Sequence, residues 1–291
     1  MYSTKYEIIL KVAETGSFTR TAEYFQYTQS AVSQTIKTVE KELGIILFNR
    51  TPKGIFLSEE GKLLLPHIRE IVNGHRRLSE CAGELQELHS GVVRLGAYLS
   101  LSCHWVPHCI KEFGKLYPNI SFELCQEDDV TLLDLMRKGS LDLLIMSNPG
   151  KQEFAYEELF EDPFVIVLPT NHFAAGKSSL SLKELERENF IFLDVGYGPY
   201  LDQMFQDAGI KPCVTYRMID DVSILSMVEH GLGISILPKF VTTRSPFEVQ
   251  LIPMKPSYSR HLGMVTRKND YLSWSVKKFM AFASTQKPDL K

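Results

Sequence analysis

Two short amphipathic segments near the start of the chain, joined by a tight turn, constrain the fold more than any other feature. The first covers residues 18–25 and the second covers residues 29–43. Their inward-facing apolar side chains are Phe18, Ala22 and Phe25 in the first segment and Val32, Ile36, Val39 and Leu43 in the second. Thr28 can cap the second segment, and Gly44 can end it. Two short helices separated by such a turn predict a helix-turn-helix.

The second of these helices also presents small or hydrogen-bonding side chains that suit contact with base edges in the major groove of DNA. The predicted contacts are Thr28, Gln29, Ser30, Ser33, Gln34 and Lys37. The alternative interpretation of these residues is a solvated helix face. Residues 1–57 hold seven basic and five acidic side chains, a net charge of +2, so binding to DNA must depend on where charges lie rather than on bulk charge.

Residues 58–90 are predicted to form one long helix with Ser58 as its N-cap. An apolar stripe with a mean spacing of 3.5 residues runs along it through Leu64, Ile68, Ile71, His75, Leu78, Ala82 and Leu85. Such a stripe favours pairing with a second copy of the helix, and the predicted dimerisation residues are Leu64, Ile68, Ile71, Leu78 and Leu85. The alternative is that the helix packs on the core of its own chain.

Residues 91–291 alternate apolar strands with amphipathic helices, which predicts a mostly parallel α/β fold. The expected fold class is therefore α/β with an all-α N-terminal domain. About 200 residues in such an arrangement could form one domain or two lobes. If there are two lobes, the segment 161–163 is interpreted as a first crossing between them, and a strand at 264–267 as the return. The expected first lobe covers about 91–162 and 266–291, and the second about 163–265.

Nine motifs occur in a fixed order along the chain. They are Ala13-Glu-x-Gly-Ser-Phe-Thr19, Ala22-Glu23, Gln29-Ser-Ala-Val-Ser33, Glu42-Leu-Gly44, Leu47-Phe-x-Arg50, Leu57-Ser-x-x-Gly61, Tyr117-Pro118, Leu141-Asp142 after Gly139, and Gly231-Leu-Gly-Ile-x-x-Leu-Pro238. The set closely resembles that of LysR-type transcriptional regulators. The resemblance implies a winged helix-turn-helix over 1–57, a linker helix over 58–90, and a two-lobed effector-binding domain, similar to periplasmic binding proteins, over 91–291.

The same resemblance implies how such a protein works. Its wing would be Leu47–Leu57, with Arg50 and Lys53 against the phosphate backbone or the minor groove. The implied partners are double-stranded promoter DNA, a small-molecule effector and further copies of the chain, as dimers of dimers, with RNA polymerase as an additional candidate. No cofactor, no membrane contact and a cytoplasmic location are expected.

The effector site of this family lies in the cleft between the lobes, where strands end and helices begin. The candidate effector-binding residues are Ser100, Ser102, Asp129, Ser147, Tyr197 and Tyr200. Each hydroxyl could instead cap a helix. Asp128 and Asp129 stand where the family usually has Glu-Gly and small residues, so a neutral or cationic effector is expected if they line the cleft. The alternative is that Asp129 is simply an N-cap.

Other function classes are disfavoured by the sequence. The chain lacks P-loop, zinc-protease, GxSxG and SxxK motifs, so an enzyme is not expected. It shows no signal-peptide pattern, which disfavours a periplasmic solute-binding protein. Cys103-His104 and His108-Cys109 resemble metal-ligand spacing, but Pro107 interrupts the run, so incidental side chains on a helix are favoured over a metal site.

Composition agrees with a reducing compartment and with the absence of a membrane span. Hydrophobic residues make up 44% of the 291 residues and charged residues 23%. No apolar run reaches the length of about 18 residues that a membrane helix needs. The five cysteines are odd in number and include no CxxC motif.

Overall fold

The computed structural model describes residues 2–52, 54–86, 90–193, 198–243 and 245–288. It consists of a helical N-terminal domain with a small hairpin, one long helix, and a large α/β domain, so the predicted fold class is confirmed. The expectation of mostly parallel strands is wrong, because the described strands of this domain pair in both parallel and antiparallel directions. Within the described ranges, no helix combines the length and the apolar character needed to cross a membrane.

The N-terminal domain contains three helices and a hairpin: α1 (Tyr2–Thr15), α2 (Phe18–Phe25), α3 (Gln29–Leu43), β1 (Phe48–Thr51) and β2 (Gly54–Leu57). Ser17 Oγ caps α2 by accepting a hydrogen bond from the Arg20 N–H at 3.3 Å. Thr28 Oγ1 accepts one from the Ala31 N–H at 3.2 Å, which confirms the predicted cap of α3. Gly44 ends α3 at a φ of +69°, a left-handed conformation that glycine adopts without strain.

The long helix α4 (Glu59–Leu85) begins at the predicted cap, where Ser58 Oγ accepts a hydrogen bond from the Gly61 N–H at 2.8 Å. Its first half packs against α1 and completes the N-terminal core. That core consists of Ile8, Ile9, Val12, Phe18, Ala22, Val32, Ile36, Val39, Leu47, Phe48 and Ile68. Ile68 is only 4% exposed, which contradicts its predicted place in a dimer seam, whereas Leu64 is half-buried against the same cluster and its assignment stays a prediction. α1 covers the N-terminal half of the apolar stripe, so this half packs within the chain while the other half is exposed.

The α/β domain begins with β3 (Gly91–Ala97), α5 (Leu99–Cys103), α6 (Trp105–Leu116), β4 (Ile120–Gln126), α7 (Asp129–Arg137), β5 (Leu143–Ser147) and β6 (Phe154–Pro169). There follow a 3-10 turn (Leu182–Leu185), β7 (Asn189–Leu193), α8 (Gly198–Ala208), β8 (Cys213–Met218), α9 (Asp221–Glu229), β9 (Ser235–Pro238), α10 (Lys239–Thr242) and β10 (Val249–Pro253). The chain then forms β11 (Ser259–Arg267) and α11 (Trp274–Ala283).

These elements form two lobes with separate cores. In the first lobe β4, β3 and β5 pair in parallel, and β11 joins antiparallel to both β5 and β6. In the second lobe β9 and β10 pair antiparallel with the last part of β6. The parallel pair β7 and β8 is linked to this second sheet by a bridge between Phe190 and Ile234.

The 16-residue strand β6 passes from one lobe to the other, and the predicted first crossing at 161–163 coincides with the change of its strand partners. The predicted return near 264–267 is wrong. Met254 belongs to the core of the second lobe, whereas Leu262 and Met264 belong to the core of the first, so the chain returns at the start of β11. An apolar strand does not reveal in sequence which of two cores it faces, and this explains the difference.

Candidate functional site

The recognition helix α3 presents most of its predicted DNA contacts to solvent. Gln29, Ser30, Gln34 and Lys37 are exposed, and Lys37 makes no ion pair within the described part of the chain. Thr28 is also exposed, although its hydroxyl is used by the helix cap and by a 3.0 Å hydrogen bond with Ser30 Oγ. The exposed residues lie within the first three turns of α3, and free backbone N–H groups at the start of the helix also favour an anion.

Arg50 on the wing strand β1 lies against the recognition helix. Its Nη2 donates to Ser33 Oγ at 3.1 Å, and its guanidinium carbon lies 4.7 Å from the centre of the Phe18 ring. Ser33 is half-buried as a result. The other predicted wing contact, Lys53, lies outside the described residues.

The second half of α4 carries exposed apolar side chains that its own chain does not cover. Ile71, Leu78 and Leu85 are 48%, 69% and 83% exposed, and they recur every seven residues. Leu63 is also 75% exposed, although it lies outside the predicted stripe. An uncovered heptad stripe of this kind suits a second helix.

The opposite side of α4 is docked on the first lobe through polar contacts. Arg76 Nη2 lies 3.2 Å from Asp142 Oδ1, and the Asp142 Oδ2 accepts a hydrogen bond from the Arg94 N–H at 3.0 Å. Asn73 Nδ2 donates to the Lys138 carbonyl oxygen at 2.8 Å. In the sequence, Asp142 is visible only as part of the Leu141-Asp142 motif. Its partners on α4 and β3 emerge from the tertiary structure.

A cleft of about 470 Å³ lies between the lobes. Its described lining consists of Tyr98, Leu99, Ser100, Gln126, Glu127, Asp128, Asp129, Ser147, Leu193, Tyr200, Ile219, Asp220 and Asp221. The structure therefore brings together four of the six predicted effector contacts, namely Ser100, Asp129, Ser147 and Tyr200. They come from the ends of β3 and β5 and the starts of α5, α7 and α8, as expected for a cleft at strand carboxyl ends.

Two predicted effector contacts are not among them. Ser102 is half-buried and does not line the cleft. It lies two residues after Ser100 on the helix α5, and residues at that spacing face in different directions. Tyr197 lies outside the described residues.

Asp128 and Asp129, at the start of α7, have different roles, and the N-cap is not the residue that the sequence suggested. Asp128, not Asp129, is the N-cap, since its Oδ1 accepts a hydrogen bond from the Thr131 N–H at 2.8 Å. The Asp129 carboxylate instead hydrogen-bonds to the Tyr98 hydroxyl. Burial raises the pKa of Asp129, and Tyr98 opposes that rise.

A second Asp-Asp pair, which the sequence analysis missed, faces the cleft from the other lobe. Asp220 caps α9 and accepts hydrogen bonds from both the N–H and the Oγ of Ser223, each at 2.7 Å. Asp221 is 8% exposed, and its Oδ1 has no hydrogen-bond partner among the described residues. Burial raises the pKa of Asp221 to about 6, with Arg260 acting in the opposite direction. The repeated Asp-Asp before an apolar helix was the available sequence signal.

Arg260 lies fully buried behind this cleft. Its Nε donates to Asp162 Oδ2 at 2.8 Å, and its Nη2 donates to Ser100 Oγ at 3.2 Å. Burial raises the pKa of Asp162, while the Arg260 guanidinium lowers it.

The Cys/His segment lies on α5 and α6 and is divided between core and surface. Cys109 is buried in the core of the first lobe, where burial raises the pKa of its thiol to about 12, whereas Cys103 is exposed. His104 and His108 line a separate cavity of about 280 Å³ beside Trp105. The described residues contain no group of three or more side chains placed to hold a metal ion.

Comparison with known proteins agrees with this architecture. Residues 4–62 match the family "Bacterial regulatory helix-turn-helix protein, lysR family", and residues 86–287 match "LysR substrate binding domain". The HTH-type transcriptional regulator YvbU of Bacillus subtilis (strain 168) is 29% identical over 287 residues, which cover 97% of this chain and 98% of that protein.

Two solved structures extend the likeness to three dimensions. Full-length OxyR from Pseudomonas aeruginosa, at 23% identity, aligns with a TM-score of 0.73 over 98% of this chain and 94% of that one. The effector-binding domain of QuiR in complex with shikimate, at 25% identity, aligns with a TM-score of 0.63 over 67% of this chain and 96% of that one. Because the two family matches together span nearly the whole chain, the protein belongs to the LysR family of transcriptional regulators, with a helix-turn-helix DNA-binding domain and an effector-binding domain.

Proposed function

We propose that this regulator reads promoter DNA through α3 and the wing, and that a small molecule in the inter-lobe cleft controls it. The observation that carries the proposal is the combination of an exposed recognition helix with an open cleft of about 470 Å³ in one chain. Two-lobed α/β domains bind small molecules in such clefts. The QuiR domain, similar over two thirds of this chain, was solved in complex with shikimate.

In this proposal the DNA contacts have separate roles. Gln29, Gln34 and Ser33 face base edges, and Lys37 neutralises a phosphate. Arg50 must exchange its hydrogen bond with Ser33 for a phosphate contact, or hold Ser33 in place while it reads a base. Lys53 is assigned to the backbone by resemblance alone.

The assembly we propose is a dimer through the exposed face of α4, with dimers of dimers as the full unit. Ile71, Leu78 and Leu85 support it because they leave a heptad stripe uncovered. Two recognition helices in one dimer can bind two half-sites, which compensates for the small positive charge of each N-terminal domain.

We further propose that the protein acts without catalysis and in the cytoplasm, where the DNA is. The likeness to transcriptional regulators along the chain supports a regulatory role. Contact with RNA polymerase remains a prediction from the family alone.

The experiment that tests this function is selection of duplexes from a random library by the full-length protein, followed by sequencing of the bound fraction. We expect enrichment of a two-fold symmetric sequence whose half-sites are separated by about 10 base pairs or a multiple of that. The matched control is the Gln34→Ala, Lys37→Ala double variant, which should bind more weakly and lose the sequence preference at the one or two base pairs that Gln34 reads, while it still folds. Equal recovery of all sequences by the unaltered protein would contradict the proposal.

A further inference from the structure

The charge of the cleft is strongly one-sided. Five of its described lining residues are acidic and none is basic: Glu127, Asp128, Asp129, Asp220 and Asp221. Arg260, whose guanidinium donates to the cleft residue Ser100, is paired with Asp162, which is as fully buried as Arg260 itself. The guanidinium therefore neutralises Asp162, so the carboxylates that face the cavity keep a net negative field.

Two of the helices that begin at the cleft, α7 and α9, do not offer free anion sites. Free N–H groups at a helix N-terminus normally favour an anion. At α7 the Asp128 carboxylate already accepts one of these N–H groups, and at α9 Asp220 does the same. Asp129 and Asp221 follow directly, so an incoming carboxylate would meet a like charge at the start of either helix.

Asp221 also has a side-chain oxygen that lacks a partner among the described residues, and this feature does not depend on the overall charge of the cleft. Its side chain lines the cavity, is more than nine-tenths buried, and leaves Oδ1 without a hydrogen-bond partner among the described residues. Leaving a buried acceptor unsatisfied is costly, and the cost is greater for a charged group. A ligand N–H group that reaches Oδ1 would remove that cost.

We infer that the effector is a small organic cation, a primary amine or a guanidine, whose N–H groups bind Asp221 in the inter-lobe cleft. This inference rests on the proposed function, since it names the ligand class of the same cleft. Asp129 faces the cation from the other lobe, so one ligand would contact both lobes. The rings of Tyr98 and Tyr200, which also line the cavity, suit a positive charge.

The test is calorimetry of the full-length protein at pH 7.5 with three probes: putrescine, agmatine and shikimate. We expect one or both of the amines to bind, and shikimate to bind at least about tenfold more weakly. Asp221→Asn keeps the shape of the side chain and removes its charge, so amine affinity should fall by about tenfold or more. Glu186→Gln, an exposed acid-to-amide change elsewhere in the second lobe, should leave affinity unchanged.

A second variant distinguishes a loss of amine binding from a loss of folding. Asp129→Asn alters the first lobe instead, and it should also weaken amine binding while thermal denaturation shows a folded protein. Tighter binding of shikimate than of both amines, absence of amine binding, or equal amine affinity in the Asp221→Asn protein would each overturn the inference. The regulatory function would survive all three results, because it fails only if the library selection recovers no preferred DNA sequence.

Discussion

Arg260 and Asp162 lie opposite each other on β11 and β6, with Nε and Oδ2 2.8 Å apart, and both side chains are fully buried. They meet where both strands pass between the lobes. Arg260 also donates to Ser100, which lines the cleft. The pair therefore links the strand crossing to the cleft between the lobes through Ser100.

Loss of one partner of that pair should be severe. Arg260→Met leaves the Asp162 carboxylate buried without its cation, so we expect the free energy of unfolding to fall by about 3–5 kcal/mol in urea denaturation. Adding Asp162→Asn should restore part of the loss, because the unpaired charge is then gone. A single variant as stable as the unaltered protein would mean that the crossing does not depend on the pair.

Asp221 should make stability depend on pH. Its pKa is raised from 3.8 to about 6, so the folded state binds more protons than the unfolded state between these values. The contribution of Asp221 to the free energy of unfolding therefore falls as pH rises from about 4 to about 6. Above about pH 6 this contribution has reached its lowest value. Asp221→Asn should raise the free energy of unfolding by up to about 3 kcal/mol at pH 7.5 and change it little at pH 4.

The groups that act on Asp221 are Arg260, Asp220 and Asp162, and all of them are retained in that variant. Denaturation curves of the variant and of Glu186→Gln, measured at both pH values, isolate the Asp221 contribution. If Asp221→Asn is destabilising at pH 7.5, the carboxylate has a structural partner that outweighs its burial.

We expect substitutions in the recognition helix to affect DNA binding in two distinguishable ways. Gln34→Ala should relax discrimination at one or two base pairs by about 1–3 kcal/mol and leave non-specific affinity unchanged. Lys37→Ala should weaken binding to all sequences alike and reduce the salt slope by about one. Fluorescence anisotropy on the selected duplex and its single-base variants, at two salt concentrations, separates the two. Identical profiles for both variants would refute these assignments.

The exposed stripe of α4 predicts the oligomeric state. Leu78→Glu puts a charge into the proposed seam and should abolish both the dimer and operator binding. Ser79→Glu adds the same charge one residue further along the helix, off the stripe, and should leave both intact. Analytical ultracentrifugation gives the masses, and a dimeric Leu78→Glu protein would show that another surface pairs the subunits.

Ile68 and Ile71 are expected to differ although the same stripe contains both. Ile68→Ala removes a core side chain and should lower the free energy of unfolding by about 2–5 kcal/mol. Ile71→Ala alters an exposed residue and should weaken the dimer instead. Denaturation measured at two protein concentrations distinguishes the effects, since only a dimer contribution changes with concentration. Equal losses for both variants at each concentration would contradict this division.

The local sequence was enough to predict the helix-turn-helix, the long helix and the alternation of strands and helices in the rest of the chain. The capping roles of Thr28 and Ser58 and the ending of α3 at Gly44 depend on neighbours within a few residues along the chain. Strand and helix positions follow from the period of apolar residues, which is a property of adjacent turns and alternating faces. For this reason the fold class was predictable without the tertiary structure.

Contacts between distant segments were not predictable in the same way. The periodicity of α4 identified an apolar stripe, but only the packing of α1 shows that Ile68 is covered and Ile71 is not. Likewise, the apolar pattern of β11 does not reveal that it enters the first lobe at its start. In both cases an apolar face could pack against either of two surfaces. Many weak contacts between distant segments together decide which surface it packs against.

In the cleft, some features were predictable from the sequence and others depended on the tertiary structure. Sequence alone determined that Ser100, Ser147 and Tyr200 follow strands or begin helices at one end of the domain, and that Asp128 and Asp129 depart from the family pattern. Only the tertiary structure decided that Asp221 is buried beside them, and that Arg260 pairs with Asp162, 98 residues away along the chain. Burial and the distance between charges set the electrostatics of a site, and both quantities exist only once the two lobes are assembled.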